Sequence, residues 1–177
     1  YIKRKSDQRM FKSTLVETFG SSDGFSFNKQ GRLSYNDDYA SSYSHLTNPQ
    51  QILFNALLTS ETGGQRFVNI SFVYEYSKLE QGATIRHIVQ LNSCYRSGGV
   101  YVSNDNAIYI WPEKILTISC GGSNHTYFQN VLIWHELGHF LNTPQPGYAI
   151  YLENQMRLIL NLLPLREFDN EHPRYNP

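Results

Sequence analysis

The sequence predicts an α+β fold, and three observations carry that reading. Helical spacing begins at residues 47–49, strand-like runs fill the middle of the chain, and helical periodicity returns after Thr126. Strands and helices are therefore segregated along the chain rather than alternating. With 177 residues, of which 40% are apolar and 14% aromatic, the chain is long enough for one core without disulfide staples. Residues 47–169 form the expected domain. Residues 1–46 are expected as a loop-rich N-terminal segment packed on it or flanking it, and 170–177 as a frayed tail.

Taken in order, the basic start (Lys3, Arg4, Lys5, Arg9, Lys12) is expected as a solvated tail. Residues 20–48 are rich in Gly, Ser, Asn, Asp and Tyr and read as loops with short extended pieces. Thr47-Asn48-Pro49 opens a helix: Thr47 or Asn48 can cap it, and Pro49 suits a first turn that needs no N–H. Ile52, Leu53, Ala56 and Leu57 share a face, and Gly63-Gly64 ends the element. Arg66–Tyr76, Thr84–Leu91, Val100–Val102, Ala107–Trp111 and Ile115–Ser119 read as strands of a small mixed or antiparallel sheet. Thr126 with Gln129 resembles a capping box, followed at helical spacing by Val131, Leu132, Trp134 and Leu137. Thr143-Pro144 stops that helix, and a second runs from about Tyr148 to Leu163.

Composition narrows the partners. Lys+Arg and Asp+Glu are both 15, so no net field favours nucleic acid or an anionic membrane. No apolar run reaches the ~18 residues of a membrane span. A monomer is expected. Tyr1 in place of Met suggests a processed or trimmed product. Two cysteines, Cys94 and Cys120, make no disulfide framework and are expected as buried thiols.

The chemistry lies in His135-Glu136-Leu137-Gly138-His139, an H-E-x-x-H motif inside a predicted helix. Residues four apart stack on one helical face, so both imidazoles can reach one ion, and zinc accepts neutral imidazole nitrogen. Glu136 projects beside that ion, where it can take a proton from water and return it to a leaving amine. Chance would supply such a motif on the order of 0.01 times in a chain of this composition. Gly138 costs about 1 kcal/mol in a helix interior, which points to another backbone packed against it.

Catalytic zinc usually takes a third protein ligand. The downstream donors are Gln145, Glu153, Glu167, Asp169, Glu171 and His172. Glu153 is the preferred choice, because Ala149, Met156 and Leu160 place it on an apolar stripe where a carboxylate needs a partner. Arg157, one turn on, can pair with it or orient it from behind. Gln145 has the spacing of an extended motif but is a weak zinc ligand. His87 and His125 read as structural.

Residues 47–166 also resemble the effector zinc metalloproteases of the NleD kind, which bacteria deliver through secretion systems and which recur as domains of polymorphic toxins. The matching pieces are Gln51–Leu58 with Thr62-Gly-Gly, His135–His139, Glu153-Asn-Gln-Met-Arg157 and Leu163-Pro-Leu-Arg166. The resemblance implies a zincin-like fold, with a small sheet over the active-site helix and a second helix after it. It implies zinc on His135 and His139, Glu136 as base, and endopeptidase action on proteins of a target cell, signalling kinases among them. A secreted protein is implied with it. Asn154 and Arg157 fall in the matched run as supports for the site, and Arg166 is a candidate electrophile for the oxyanion. Pro144–Gly147 carries no acid where relatives often have one, so a zincin scaffold that binds a partner without cutting it is the alternative. A zinc hydrolase acting on another bond is a third reading.

Overall fold

The computed structural model describes residues 2, 4–58, 65–67, 73–74, 99–102, 107–110, 115–120, 123–142 and 144–177. The expected strand Thr84–Leu91, the Gly63-Gly64 stop, His87 and Cys94 lie outside the described residues. The architecture is α+β. Helix α1 (Lys5–Phe19) precedes a hairpin of β1 (Phe25–Phe27) and β2 (Leu33–Asn36), a 3-10 turn (Asp37–Tyr43) and α2 (Asn48–Leu57). Strands β3 (Gln65–Phe67), β4 (Val73–Tyr74), β5 (Gly99–Val102), β6 (Ala107–Ile110), β7 (Ile115–Cys120) and β8 (Ser123–Phe128) lead into α3 (Gln129–Leu141) and α4 (Gly147–Ile159).

The described strands form three small sheets. β1-β2-β3 is antiparallel, β6 pairs parallel with β4 and antiparallel with β5, and β7-β8 is a hairpin. Helix α3 packs against α4 and also against β5, β6 and β8.

Helix α1 corrects the expected solvated tail. Its buried positions, Asp7, Gln8, Phe11, Thr14, Leu15, Thr18 and Phe19, recur every three to four residues. Four of these seven are polar, which hides the period from a hydrophobicity reading. Each finds a partner. Asp7 accepts from Arg4 Nε at 2.7 Å, and Gln8 Nε2 donates to the Ile2 carbonyl at 2.8 Å. Thr14 Oγ1 donates to Asn130 Oδ1 at 2.8 Å, and Thr18 Oγ1 accepts from Trp134 Nε1 at 3.1 Å. Arg4, Lys5 and Arg9 stay on the exposed face. Gly20 ends the helix at φ 80°, its N–H bonded to the Val16 carbonyl.

Phe19 sits edge-on to Trp134 on α3, with ring centroids 6.0 Å apart, and to Phe54 on α2 at 5.4 Å. Residues before 47 thus share one buried cluster with the helices that follow. Pro49 lies in the first turn of α2, and Gln50 Oε1 accepts the Thr47 N–H at 2.8 Å.

Three boundaries differ from expectation. Helix α2 ends at Leu57, before the Gly63-Gly64 stop, because Leu58 takes an extended backbone at φ −89°, ψ 135°. Thr126 does not cap α3: it lies in β8, paired with Thr117, and α3 starts directly after the extended Phe128. The β-branched and aromatic run Thr126-Tyr127-Phe128 favours the strand. Helix α4 ends at Ile159, earlier than Leu163, because Asn161 takes a left-handed φ of 55°.

Gly138 explains how α3 and α4 meet. A Cβ there would lie 2.5 Å from Ala149 Cα and 2.9 Å from Ala149 N, so backbone crosses backbone at this point. Propensity alone predicts that Gly138→Ala stabilises by about 1 kcal/mol. Steric overlap predicts the opposite, with overpacking costing roughly 1–3 kcal/mol. The expected outcome is a lower thermal midpoint, by roughly 2–4 °C per kcal/mol of net loss, measured by circular dichroism.

Candidate metal centre

Helix α3 stacks His135 and His139 one turn apart, and their Nε2 atoms lie 3.1 Å from each other. A third imidazole joins them. His172 Nε2 lies 3.3 Å from His139 Nε2, and one donor nitrogen from each of the three rings falls within 4.8 Å of the others. Tetrahedral zinc at its usual bond length to nitrogen separates two ligand atoms by about 3.3 Å.

The protonation pattern fits a cation. His135 Nδ1 lies 2.8 Å from Glu153 Oε2, and His172 Nδ1 lies 3.0 Å from Asp169 Oδ1. An ionised carboxylate only accepts, so each Nδ1 donates to its carboxylate, and the Nε2 of both rings faces the cluster. A carboxylate behind an imidazole is also the usual support of a metal-binding histidine. Burial, and then the neighbouring His135, His172 and Arg166, push His139 down to about 3, so this ring is neutral near pH 7.

Glu153 is 3% exposed and stands behind His135, on the ring nitrogen opposite the cluster. This revises the expectation that Glu153 is the third ligand. Its apolar stripe does bury a carboxylate, but that carboxylate is satisfied by His135, Arg157 and Arg166. Arg157 Nη2 lies 2.8 Å from Oε1, and Arg166 Nη1 lies 3.0 Å from Oε2. Burial pushes the Glu153 carboxyl up, yet the His135 hydrogen bond and charge, followed by Arg166 and Arg157, hold it at about 2.

His172 reaches the site because 160–177 folds back, in contrast to the frayed tail expected of 170–177. Asp169 and His172 exchange backbone hydrogen bonds, Asp169 N–H to the His172 carbonyl at 3.1 Å and His172 N–H to the Asp169 carbonyl at 3.2 Å. Tyr175 packs on Tyr148 and Tyr151 of α4, with centroids 4.9 and 5.1 Å away. At Gly147 the Pro173 carbonyl occupies the space a Cβ would need. The sequence did hold a signal for this residue: Asp169-x-x-His172 pairs a carboxylate with an imidazole, and imidazole suits zinc better than Gln145 amide does.

The remaining expected residues fall close by. Glu136 is buried on α3 beside His135, at 4% exposed. The Asn154 side chain holds the Arg166 backbone from both sides: Oδ1 accepts its N–H, and Nδ2 donates to its carbonyl, each at 2.9 Å. Gln145 is exposed in the turn before α4. No protein family, no curated protein and no solved structure matches the chain.

Two outcomes follow. His172→Ala removes a donor, whereas Glu153→Gln removes only its support, worth roughly 10–100-fold in metal affinity. Chelator competition should therefore rank the loss of zinc affinity with His172→Ala the larger; the reverse order would restore Glu153 as ligand. The second outcome concerns acid. His139 at about 3 and Glu153 at about 2 both lie below their ordinary values of 6.5 and 4.5. In those windows the unfolded chain binds more protons, so stability rises with pH. Metal-free protein should lose stability progressively from pH 6.5 down to about pH 2, and urea midpoints across that range measure it.

Proposed function

We propose that the protein is a zinc-dependent endopeptidase. The observation that supports this most is the convergence of three imidazoles, two of them from an H-E-x-x-H helix that also carries buried Glu136. Zinc, when bound, polarises a carbonyl and lowers the pKa of a water molecule towards ~7.

The protein's own residues do the rest. His135, His139 and His172 would hold the ion, and three protein ligands are the usual set of a catalytic zinc. Glu136 takes the proton of the attacking water and delivers it to the departing amine, so that one carboxylate serves both halves of the reaction. Glu153 and Asp169 keep the proton on Nδ1 of their rings, which leaves Nε2 as the donor.

A zincin-like fold belongs to this proposal, and so does delivery from a bacterium into a target cell to cut proteins there; both rest on the resemblance of residues 47–166. The missing acid in Pro144–Gly147 was the motive for a non-cutting scaffold. His172 offers a third candidate donor from another segment, which supports the cutting reading over the scaffold.

Glu136→Gln should keep the zinc content of the wild type and lower turnover of an unfolded protein or peptide library by roughly 10²–10⁴-fold. Zinc content by mass spectrometry and cleavage by peptide mapping measure the two halves. Unchanged cleavage would remove Glu136 from the mechanism. A wild type with bound zinc that cuts no peptide but hydrolyses another bond would favour the third reading.

A further inference from the structure

We propose that Arg166 is a positioning residue that couples the supports of two imidazoles, His135 and His172, rather than an electrophile for the substrate. The inference rests on the metal centre and goes beyond the endopeptidase reading, since it would hold for any reaction there.

The geometry is a bridge. Arg166 Nη1 donates to Glu153 Oε2 at 3.0 Å, the same oxygen that takes the Nδ1 proton of His135. Arg166 Nη2 donates to Asp169 Oδ2 at 3.4 Å, and the other oxygen of Asp169 takes the Nδ1 proton of His172. One planar guanidinium thus links two carboxylates, and each carboxylate holds one imidazole. The chain runs His135, Glu153, Arg166, Asp169, His172.

The bridge is fixed at its base. Asn154 grips both backbone groups of Arg166, and Asn154 is the next residue along α4 from Glu153. Helix α4 therefore sets where Glu153 stands and where Arg166 starts. Arg157 covers the remaining oxygen of Glu153, with Nε 2.9 Å from Oε1, so no carboxylate oxygen is left to pull Arg166 elsewhere.

The chemistry suits arginine alone. A guanidinium presents donors in a rigid fork that can meet two carboxylates at once, whereas a lysine ammonium is a point charge on a flexible stem. Lysine can neutralise Glu153 or Asp169 but does not hold the two at a fixed separation. With the fork engaged on both sides, its charge is spent on carboxylates, not on an oxyanion.

The test uses the purified full chain loaded with zinc or cobalt(II). Zinc affinity is read by chelator competition, and ligand geometry by the visible absorption of the cobalt form. Arg166→Gln should weaken zinc by roughly 10–100-fold, as loss of outer support does elsewhere, and should alter the cobalt spectrum. Arg166→Lys keeps the charge and protects the fold; it should recover only part of the affinity. Asp169→Asn should weaken zinc in the wild type, yet add less than its full factor in the Arg166→Gln background, because the two act through one bridge. Factors that simply multiply overturn the coupling. If Arg166→Lys binds zinc within twofold of the wild type with an unchanged cobalt spectrum, the proposal is wrong even if peptide cleavage falls. A wild type that binds no zinc overturns the metal centre itself, and that failure is distinguishable from the others.

Discussion

A single buried carboxylate organises this end of the molecule. Glu153 is almost wholly withdrawn from water, and an ionised group there persists only when its lone pairs are engaged. Three groups from three places in the chain meet that demand: an imidazole from α3, Arg157 one turn along α4, and Arg166 from the segment after it. Burying the charge thus forces α3, α4 and the C-terminal stretch into one arrangement. Removing one of the partners leaves part of that demand unmet in an apolar setting, which costs more than the contact itself contributes.

The same logic operates at the other end of the core. Helix α1 is attached to α3 through polar side chains, with Thr14 on Asn130 and Thr18 on Trp134, and Asn130 Nδ2 also donates to the Glu17 carboxylate. Such bonds are directional, so they fix the rotation of α3 about its axis in a way apolar contact does not. That rotation decides which way His135 and His139 point. Backbone contact at Gly138 then fixes how near α4 comes. The imidazole pair is held from the N-terminal side by hydrogen bonds and from the C-terminal side by close packing.

Much of the site was legible in the sequence, and the reasons are local. His135, Glu136 and His139 declare themselves through one helical repeat, and Gly138 through its poor helix propensity. Helix α2 was readable from Thr47 and Pro49. What escaped was non-local. The choice between Glu153 and His172 depends on a fold-back set by Tyr175 on Tyr148 and by Pro173 on Gly147, contacts that no short window of residues contains. Helix α1 escaped for a different reason: a buried face half made of Thr, Asp and Gln looks like surface until its partners are known. Thr126 shows the third kind of failure, where a cap signal and a strand signal overlap and pairing with β7 decides.

The placement of the third imidazole has a topological consequence. His139 and His172 are 33 positions apart, and all of α4 lies between them. A cation shared by the two closes that stretch into a ring, as a disulfide would. Unlike a disulfide it binds the folded site alone, so its contribution follows free ion concentration, about 2.7 kcal/mol at a hundredfold excess over Kd. The ion would then act as a removable cross-link, and the second helix with its fold-back would be the part of the molecule whose durability is tied to ion supply.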